Sequence, residues 1–242
     1  MKILLMSDIH GNEQALNAVI EKAMTDYRIA ACFLLGDIID YGVHSNEVIE
    51  KIRMLPYPVL CNIRGNHEES VITGSYESFS SERGKQSAKY THNMLNEKSW
   101  LYIQNEMSVS GMLEFECAQK KCLAVHGSLE DQYWKSINIE KDFMDYSQYD
   151  YVFSGHSHLP HFVEKYYPVE DVRRRNKKKV IFINPGSVGQ PRNHNPMAQF
   201  VVLDIQTEAV VFDKAAYDIY KEQLAYTGQV DEFYKVRLEM GV

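Results

Sequence analysis

The sequence has no long hydrophobic run and no excess of positive charge, and each absence excludes a class of protein. The longest apolar run, Ile29 to Gly36, is eight residues long, far short of the roughly 18 residues that a membrane-spanning helix needs. Only Lys2 precedes the first strand-like segment, so we expect neither a secretion signal nor a membrane anchor. The net charge is −7, which argues against non-specific binding to a nucleic-acid backbone.

Cysteine is also scarce, because four cysteines are too few and too scattered for a disulfide framework. Cys32 and Cys61 lie within apolar runs. Cys117 and Cys122 flank a predicted hairpin turn, where their thiols could approach each other, but we do not interpret them as a functional pair. A reducing cytoplasm is the simplest setting for this composition, and we expect a cytoplasmic protein.

The composition is that of an ordinary folded protein. The chain has 242 residues, of which 45% are hydrophobic and 24% are charged. A linker rich in proline, glycine and serine is absent, and so is a repeat of the solenoid type. We therefore expect one domain over residues 1 to 242.

The first 67 residues predict a β-α-β-α-β order with parallel strands. Buried strands are expected at Lys2 to Asp8, Ala31 to Gly36 and Val59 to Ile63. Two segments with helical periodicity lie between them, and Asn12 and Ser45 are the expected N-caps of these helices.

The rest of the chain predicts more β-structure around one helical insertion. A polar stretch from about residue 70 to 105 has helical periodicity and predicts a helical excursion, and residues 213 to 226 look helical again. This layout predicts an α/β fold in which two sheets form a β-sandwich flanked by helices. The strand candidates beyond the excursion are Met112 to Cys117, Cys122 to Val125, Tyr151 to Ser154, Val180 to Ile183, Phe200 to Ile205 and Ala209 to Phe212.

Aspartate, asparagine and histidine side chains follow the ends of the predicted strands. The spacing of 29 residues from Asp8 to Asp37, and again from Asp37 to Asn66, is about one βαβ unit, so neighbouring strands would deliver these side chains to one edge. A single residue of this kind at a strand end is usually a turn former or a cap. Several on successive strands indicate a shared site, whose members are Asp8, His10, Asp37, Asn66, His67, His126, His156 and His158.

Carboxylate, amide and imidazole ligands together favour two borderline divalent cations such as Mn, Fe, Zn or Co. Asp37 follows the middle strand and is the natural bridge between two cations, since a carboxylate has two oxygens. The Asp8–His10 and His156–His158 spacings each place two side chains on one face of an extended segment. We expect the other four histidines to be solvated or locally hydrogen-bonded; they are His44, His92, His161 and His194.

Five motifs occur in the order and spacing of the calcineurin-like metallophosphoesterase superfamily, which this sequence resembles from residue 1 to about 190. The segment Ile183 to Arg192 resembles a bacterial branch related to diadenosine tetraphosphatases and small phosphodiesterases. The motifs are Asp8-Ile-His10, Gly36-Asp-Ile-Ile-Asp40, Gly65-Asn-His-Glu68, His126-Gly127 and Gly155-His-Ser-His158.

The resemblance implies a dinuclear enzyme that hydrolyses phosphodiesters or nucleotide polyphosphates, such as diadenosine tetraphosphate, by attack of a metal-bridging hydroxide. It implies that His67 faces the substrate as a catalytic residue and that Asp40 orients it. The two ions would be divalent or trivalent (Mn, Fe, Zn, Co or Mg, with Mn or Fe favoured). By this resemblance Asp8, His10, Asp37 and His158 surround one metal, and Asp37, Asn66, His126 and His156 surround the other.

Departures from the family pattern bear on the substrate. Protein phosphatases of the superfamily have an arginine after the aspartate that corresponds to Asp40, whereas this sequence has Tyr41. Arg64 matches the phosphatase branch and could contact a substrate phosphate, or could equally pair with nearby acids. A phosphomonoesterase or phosphoprotein phosphatase is therefore the alternative, and a non-catalytic protein-binding scaffold is a further one, against which the intact ligand set argues.

The expected partner is a small phosphoester or nucleotide substrate, with no membrane and no stable nucleic-acid partner, and the sequence leaves the oligomeric state open. The basic run from Arg173 to Lys179 is either an electrostatic clamp for a polyanion or a solvated hairpin tip. We favour the hairpin tip, because strand alternation would point only half of these charges toward one face.

Overall fold

Two five-stranded sheets form the centre of the molecule in a computed structural model that describes residues 1–141 and 144–242. In the first sheet the order is β10-β9-β1-β2-β3, and β1, β2 and β3 run parallel. Its strands are β1 (Lys2–Met6), β2 (Ile29–Leu34), β3 (Val59–Asn62), β9 (Ala198–Asp204) and β10 (Ala209–Ala215).

The second sheet has the order β4-β5-β6-β8-β7, with β5, β6 and β8 parallel and the two edge strands antiparallel to their neighbours. Its strands are β4 (Met112–Cys117), β5 (Lys120–Val125), β6 (Tyr151–Ser154), β7 (His161–Pro168) and β8 (Lys177–Asn184). The helices are α1 (Glu13–Asp26), α2 (Ser45–Arg53), α3 (Asn66–Thr73), α4 (Glu82–Met94), α5 (Glu97–Asn105), α6 (Ile219–Leu224) and α7 (Glu232–Met240).

Alternation along the strands divides the core into layers. Leu4 and Met6 of β1 pack with α1 and α2 on one face of the first sheet. Ile3 and Leu5 point the other way and pack against residues of the second sheet, including Phe153. Because both faces of the central strands are buried, these strands read as continuous apolar runs. The structure confirms the two-sheet α/β sandwich flanked by helices.

One of the two predicted helix caps is correct. Asn12 caps α1, since its side chain accepts a hydrogen bond from the Ala15 amide at 3.0 Å. The prediction for Ser45 is wrong, because His44 occupies the cap position of α2 and Ser45 is the first helical residue. The Ser45 hydroxyl instead accepts a hydrogen bond from the Asp40 amide at 3.1 Å, which ties the helix start to the preceding loop.

The C-terminal region differs most from the prediction. Residues 213 to 215 continue β10, because β9 offers them antiparallel partners as far as Ala198, and the helix in this region is only Ile219–Leu224. The sequence analysis also missed β7 and α7. β7 is an edge strand in which exposed and half-buried residues alternate, so the sequence has no apolar run there that would predict a strand.

Helices occupy the predicted excursion, where α4 and α5 follow α3. The basic run spans the turn between β7 and β8 and the first residues of β8, where Lys179 pairs with Glu208 at 2.7 Å. The four cysteines are buried and free, with Cys117 and Cys122 in the β4–β5 hairpin. Among the described residues, no helix combines the length and the apolar character needed to cross a membrane.

Candidate metal centre

The strand-end side chains of both sheets meet at one shared edge. Asp8 and His10 follow β1, and Asp37 follows β2, while His126 follows β5 of the second sheet. His158 Nε2 lies 3.2 Å from Asp8 Oδ1, and His126 Nε2 lies 3.1 Å from Asp37 Oδ2. Three sets of candidate ligand atoms lie close enough to hold a metal: Asp8, His10 and His158; His10, Asp37 and His67; and Asp37, His126 and His156.

The backbone of the ligand loops lies in the left-handed region, where few residues other than glycine occur. Positive φ values of 49° to 62° occur at Asp8, His10, Asp37, His156 and at His158. Each such residue costs of order 1–3 kcal/mol unless its surroundings hold it, and such strain gathers at functional sites. Backbone hydrogen bonds supply the support, from the Asp8 amide to Gly36 and from the His10 amide to Asp37.

Backbone carbonyls fix the ring orientation of three ligand histidines. The Nδ1 atoms of His126 and His158 lie 2.7 Å and 2.5 Å from the carbonyl oxygens of Leu35 and Gln190. His10 makes the same contact with Ile39 at 3.3 Å. A ring nitrogen beside a carbonyl oxygen must carry the proton, so the Nε2 lone pair of each ring faces the centre, as a metal ligand requires.

The donor atoms at the centre fit a cation. Both carboxylate oxygens of Asp8 are buried without a hydrogen-bond partner. The Nε2 atoms of His10 and His158 lie 3.2 Å apart, although neither can donate a proton when both Nδ1 atoms do. A buried carboxylate and two converging lone pairs are unfavourable unless a cation lies between them.

A second half of the cluster has the same character. The Asn66 amide oxygen lies 2.9 Å from Nδ1 of His156 and 3.1 Å from Nε2 of His126. The Asp37 carboxylate lies between the two halves, since its Oδ2 is 3.1 Å from His126 and 3.8 Å from His10. The other oxygen of Asp37 accepts a hydrogen bond from the His67 amide at 2.9 Å.

Burial and neighbouring charges set the protonation of the ligands. Burial lowers the pKa of His156 to about 4 and holds the pKa of His10 and His158 well below the usual range, so these rings are neutral. Burial also disfavours the imidazolium of His126, but the Asp37 carboxylate outweighs it and raises the pKa of His126 to about 9. A cation beside Asp37 would replace that proton, because metal binding requires the unprotonated ring.

Glu68 organises the Asp37 loop, a role that the sequence analysis missed. Its carboxylate is fully buried and accepts hydrogen bonds from the amides of Asp37, Ile38, Ile39 and Gly65 at 2.7 to 3.2 Å. These four amides would otherwise be buried without partners. Glu68 belongs to the Gly65-Asn-His-Glu68 motif, but its role depends on the loop at residues 37 to 39, which is distant in the sequence.

His67 and Asp40 form a hydrogen-bonded pair beside the ligands. His67 Nδ1 lies 2.6 Å from Asp40 Oδ2, and the other oxygen of Asp40 accepts from the hydroxyls of Ser87 and Thr91 in α4. Burial opposes the charged form of His67, yet Asp37 and Asp40 outweigh it and raise the pKa of this ring. The pair can therefore hold a proton on His67, as a general acid needs.

A cleft of about 350 Å³ opens over this cluster. Phe79 and Trp134, whose ring centroids are 5.1 Å apart, form an aromatic wall, and Phe79 also contacts the His67 ring at 5.0 Å. The cleft lining includes Asp37, Tyr41, Asn66, His67, His156, His158 and Arg192, together with residues 78 to 81 before α4.

Arg64 is a candidate site residue that the structure places apart from both the cluster and the cleft. Its guanidinium is buried and donates to the carbonyl oxygens of Ile103, Gln104 and Val109, which leaves it facing α5. Of the remaining histidines, His44 and His92 are hydrogen-bonded, but to Glu222 and Val71, which are distant in the sequence rather than local as expected. The expectation for His161 is wrong, since its Nε2 is buried without a hydrogen-bond partner in the described structure.

Known proteins share both the sequence pattern and the architecture. The calcineurin-like phosphoesterase superfamily domain matches residues 1–208. An uncharacterized protein of Methanocaldococcus jannaschii is 30% identical over 233 residues, which cover 90% of this chain and 89% of the relative.

Two solved structures resemble the whole chain. A metallophosphoesterase from Sphaerobacter thermophilus has a TM-score of 0.76 and 26% identity, over 100% of this chain and 99% of its own. A hypothetical protein from Pyrococcus horikoshii OT3 has a TM-score of 0.80 and 20% identity, over 100% and 98%, which shows the shared fold. The chain belongs to the calcineurin-like metallophosphoesterase superfamily, whose members use divalent metal ions to hydrolyse phosphoesters.

Proposed function

We propose that this protein is a dinuclear metal-dependent phosphoesterase that hydrolyses phosphodiesters or nucleotide polyphosphates such as diadenosine tetraphosphate. The observation that carries the proposal is the Asp8 carboxylate, whose two buried oxygens have no hydrogen-bond partner beside the converging Nε2 atoms of His10 and His158. Asp8, His10, Asp37 and His158 would hold one ion, and Asp37, Asn66, His126 and His156 would hold the other.

The chain's own groups supply the remaining chemistry. Bound metal ions would generate a nucleophile from water at neutral pH and neutralise charge on the phosphate. His67 protonates the leaving oxygen, and Asp40 fixes the ring so that Nε2 faces the cleft. The phosphorus atom must then lie between the ligand cluster and His67.

The cleft wall supports a nucleotide as the substrate. Phe79 contacts His67, so the group that leaves beside His67 lies against the aromatic wall formed by Phe79 and Trp134. Aromatic rings of this kind stack well on nucleobases. At position 41, where protein phosphatases of the superfamily have arginine, the Tyr41 ring packs between His10 and Tyr234.

One observation favours a phosphomonoesterase as the second candidate. Arg192 lines the cleft, and a guanidinium suits the dianionic phosphate of a monoester. The complete ligand set and the His67–Asp40 pair argue against a scaffold without activity.

The test compares three substrates with manganese-loaded protein: bis(p-nitrophenyl) phosphate, p-nitrophenyl phosphate and diadenosine tetraphosphate. We expect turnover of the diester or the dinucleotide to exceed that of the monoester. Separation of the products shows where the dinucleotide is cut, and ATP with AMP indicates an asymmetric cut. Faster turnover of the monoester would favour the second candidate.

A substitution at the bridge controls for a contaminating phosphatase. Asp37→Asn removes the negative charge that both halves of the cluster share, so we expect loss of one metal and of most activity. Metal content and turnover are measured on the same sample. Unchanged values in this variant would contradict the site assignment.

A further inference from the structure

We propose that Arg192 binds a phosphate oxygen of the substrate, the role that the sequence analysis considered for Arg64. The inference rests on the proposed function, because it assigns the anion-binding group of the same cleft. The ligand class is a phosphoryl oxyanion, carried by the substrate and by inorganic phosphate.

Arg192 is a half-buried cation in the cleft that lacks a partner in the protein. It lies in the cleft lining with His67 and His158. Within residues 1–141 and 144–242, no carboxylate oxygen lies within 4 Å of its guanidinium, and its side chain donates no hydrogen bond. Arg64 differs, since its three nitrogens all donate to carbonyls. A half-buried guanidinium that no protein acceptor occupies is available to bind an anion that enters the cleft.

Arg192 lines the same cleft as Asp37, His156 and His158, so its charge lies beside the candidate ligands. Asp8 is an acid within range of this charge, but its carboxylate points into the ligand cluster, as that of Asp37 does. Two divalent cations would outweigh these carboxylates, so the loaded site attracts an anion.

The loop that carries Arg192 is rigid, which reduces the entropy cost of binding. The amides of Val188 and Gly189 donate to the carbonyls of Ser7 and Asp8, and the Gln190 carbonyl receives the Nδ1 proton of His158. Gly189 approaches the loop after β1 so closely that an added Cβ would lie 1.8 Å from the Ile9 oxygen. The backbone just before Arg192 is thus anchored to the segment that carries Asp8 and His10.

The chemistry of the side chain defines the test. A guanidinium can bind two oxygens of one phosphate, whereas a lysine offers a single point charge. Arg192→Gln removes the charge and keeps a polar side chain. Arg192→Lys keeps the charge but cannot bind two phosphate oxygens as the planar guanidinium does. Arg173→Gln is the matched control, because Arg173 is exposed at the β7–β8 turn and the change in net charge is the same.

Titration calorimetry measures the binding of inorganic phosphate to manganese-loaded protein, which needs no turnover. We expect Arg192→Gln to weaken binding roughly 10- to 100-fold, since a charge-assisted hydrogen bond contributes about this much. The lysine variant should lose less, and Arg173→Gln should match the wild type. Metal content should be equal in all four proteins.

Phosphate binding by Arg192→Gln within twofold of the wild type, with both metals present, would overturn the inference whether or not the enzyme is active. No measurable phosphate binding by the loaded wild type would overturn it too. If phosphate binding falls in Arg192→Gln while the wild type hydrolyses none of the three esters, Arg192 keeps its role and the proposed function fails.

Discussion

At the residue scale, the hydrogen bond that one ring nitrogen of a buried histidine makes determines what the other ring nitrogen can do. The Leu35 carbonyl takes the Nδ1 proton of His126, so Nε2 is the atom left to bind. In the same way Asp40 takes the Nδ1 side of His67. His126 therefore suits the proposed role of a metal ligand and His67 that of a proton donor, although both are buried histidines that follow strands.

Replacing His67 tests this division. We expect His67→Ala to lower kcat about 10²- to 10⁴-fold, as loss of a general acid does, and to leave metal content unchanged. The loss of kcat should be smaller for substrates that release p-nitrophenolate, because this good leaving group needs no proton. His92→Ala is the control, because His92 bonds the Val71 carbonyl in the helical region. A loss of metal in His67→Ala would make this residue a ligand instead.

Arg64 contributes to stability, and its replacement should show this. Arg64→Met removes the donors to the carbonyls of Ile103, Gln104 and Val109, and we expect about 2–4 kcal/mol of lost stability in urea unfolding. The KM for bis(p-nitrophenyl) phosphate should not change. Arg53→Met is the control, since Arg53 and its partner Glu106 are both exposed. If Arg64→Met raised the KM without changing stability, Arg64 would be a phosphate-binding group rather than a donor to these carbonyls.

The sequence could predict which aspartate, asparagine and histidine side chains gather at one edge, because their positions follow strand ends, which periodicity locates. It could not place Glu68 or distinguish Arg64 from Arg192. Glu68 acts on amides of a loop some 30 residues away, and only the folded chain shows which arginine finds carbonyl partners. A pattern records spacing along the chain, whereas satisfaction of a buried charge depends on neighbours in space.

At the element scale, α4 connects the helical excursion to the His67–Asp40 pair. Ser87 and Thr91 lie one turn apart on its buried face and both donate to Asp40. Residues 78 to 81, just before this helix, line the cleft. The excursion therefore positions a proposed catalytic group and forms part of the binding surface.

Apolar runs made the central strands predictable and helical periodicity made α1 predictable, whereas an element without either signal was missed. β7 has a buried face only near its end, at Tyr167, so its pattern resembles a loop. The helix predicted over residues 213 to 226 is reduced to α6, where buried Glu222 accepts a hydrogen bond from the Gln14 amide at the start of α1. Such elements form where partners already exist, and local sequence does not show those partners.

The contact of α6 with residue 44 predicts a pH dependence of stability. The hydrogen bond from His44 to Glu222 raises the pKa of His44 above its ordinary value of 6.5, against the effect of partial burial. A raised folded-state pKa means that the contribution is full below pH 6.5 and is lost as pH rises through the folded value.

Urea unfolding of wild type and His44→Gln between pH 5.5 and 8.5 measures this contribution. We expect the stability difference between the two proteins to be largest at the acid end and to shrink as pH rises. His194→Asn is the control, because His194 is exposed. A difference that does not vary with pH would contradict the ion pair.

At the scale of the whole molecule, the candidate metal centre joins the two sheets. Asp8 and Asp37 come from the first sheet, and His126, His156 and His158 come from the second. Ligation across the shared edge would add to the side-chain packing and to the hydrogen bonds, such as that of His126 with the Leu35 carbonyl, that already join the two sheets. The metals should therefore contribute to folding stability as well as to chemistry.

Removal of metal tests this expectation. A ligand at 1,000 times its Kd stabilises the folded state by about 4 kcal/mol, so treatment with EDTA should lower Tm by several degrees. Calorimetry of manganese-loaded and metal-free protein measures the shift. Asp37→Asn should show a smaller shift than the wild type. Equal Tm values with and without metal would mean that the ions do not bridge the sheets.

Most ligands project from the edges of sheets, whereas the Phe79 side of the cleft belongs to the segment between α3 and α4. Selection can therefore act on the two parts separately. Substitutions or insertions at residues 75 to 80 would alter which leaving groups fit without moving any strand that carries a ligand. A lineage could exchange substrates through this one segment while inheriting its reaction unchanged, and chimaeras that swap the segment between relatives would transfer substrate preference.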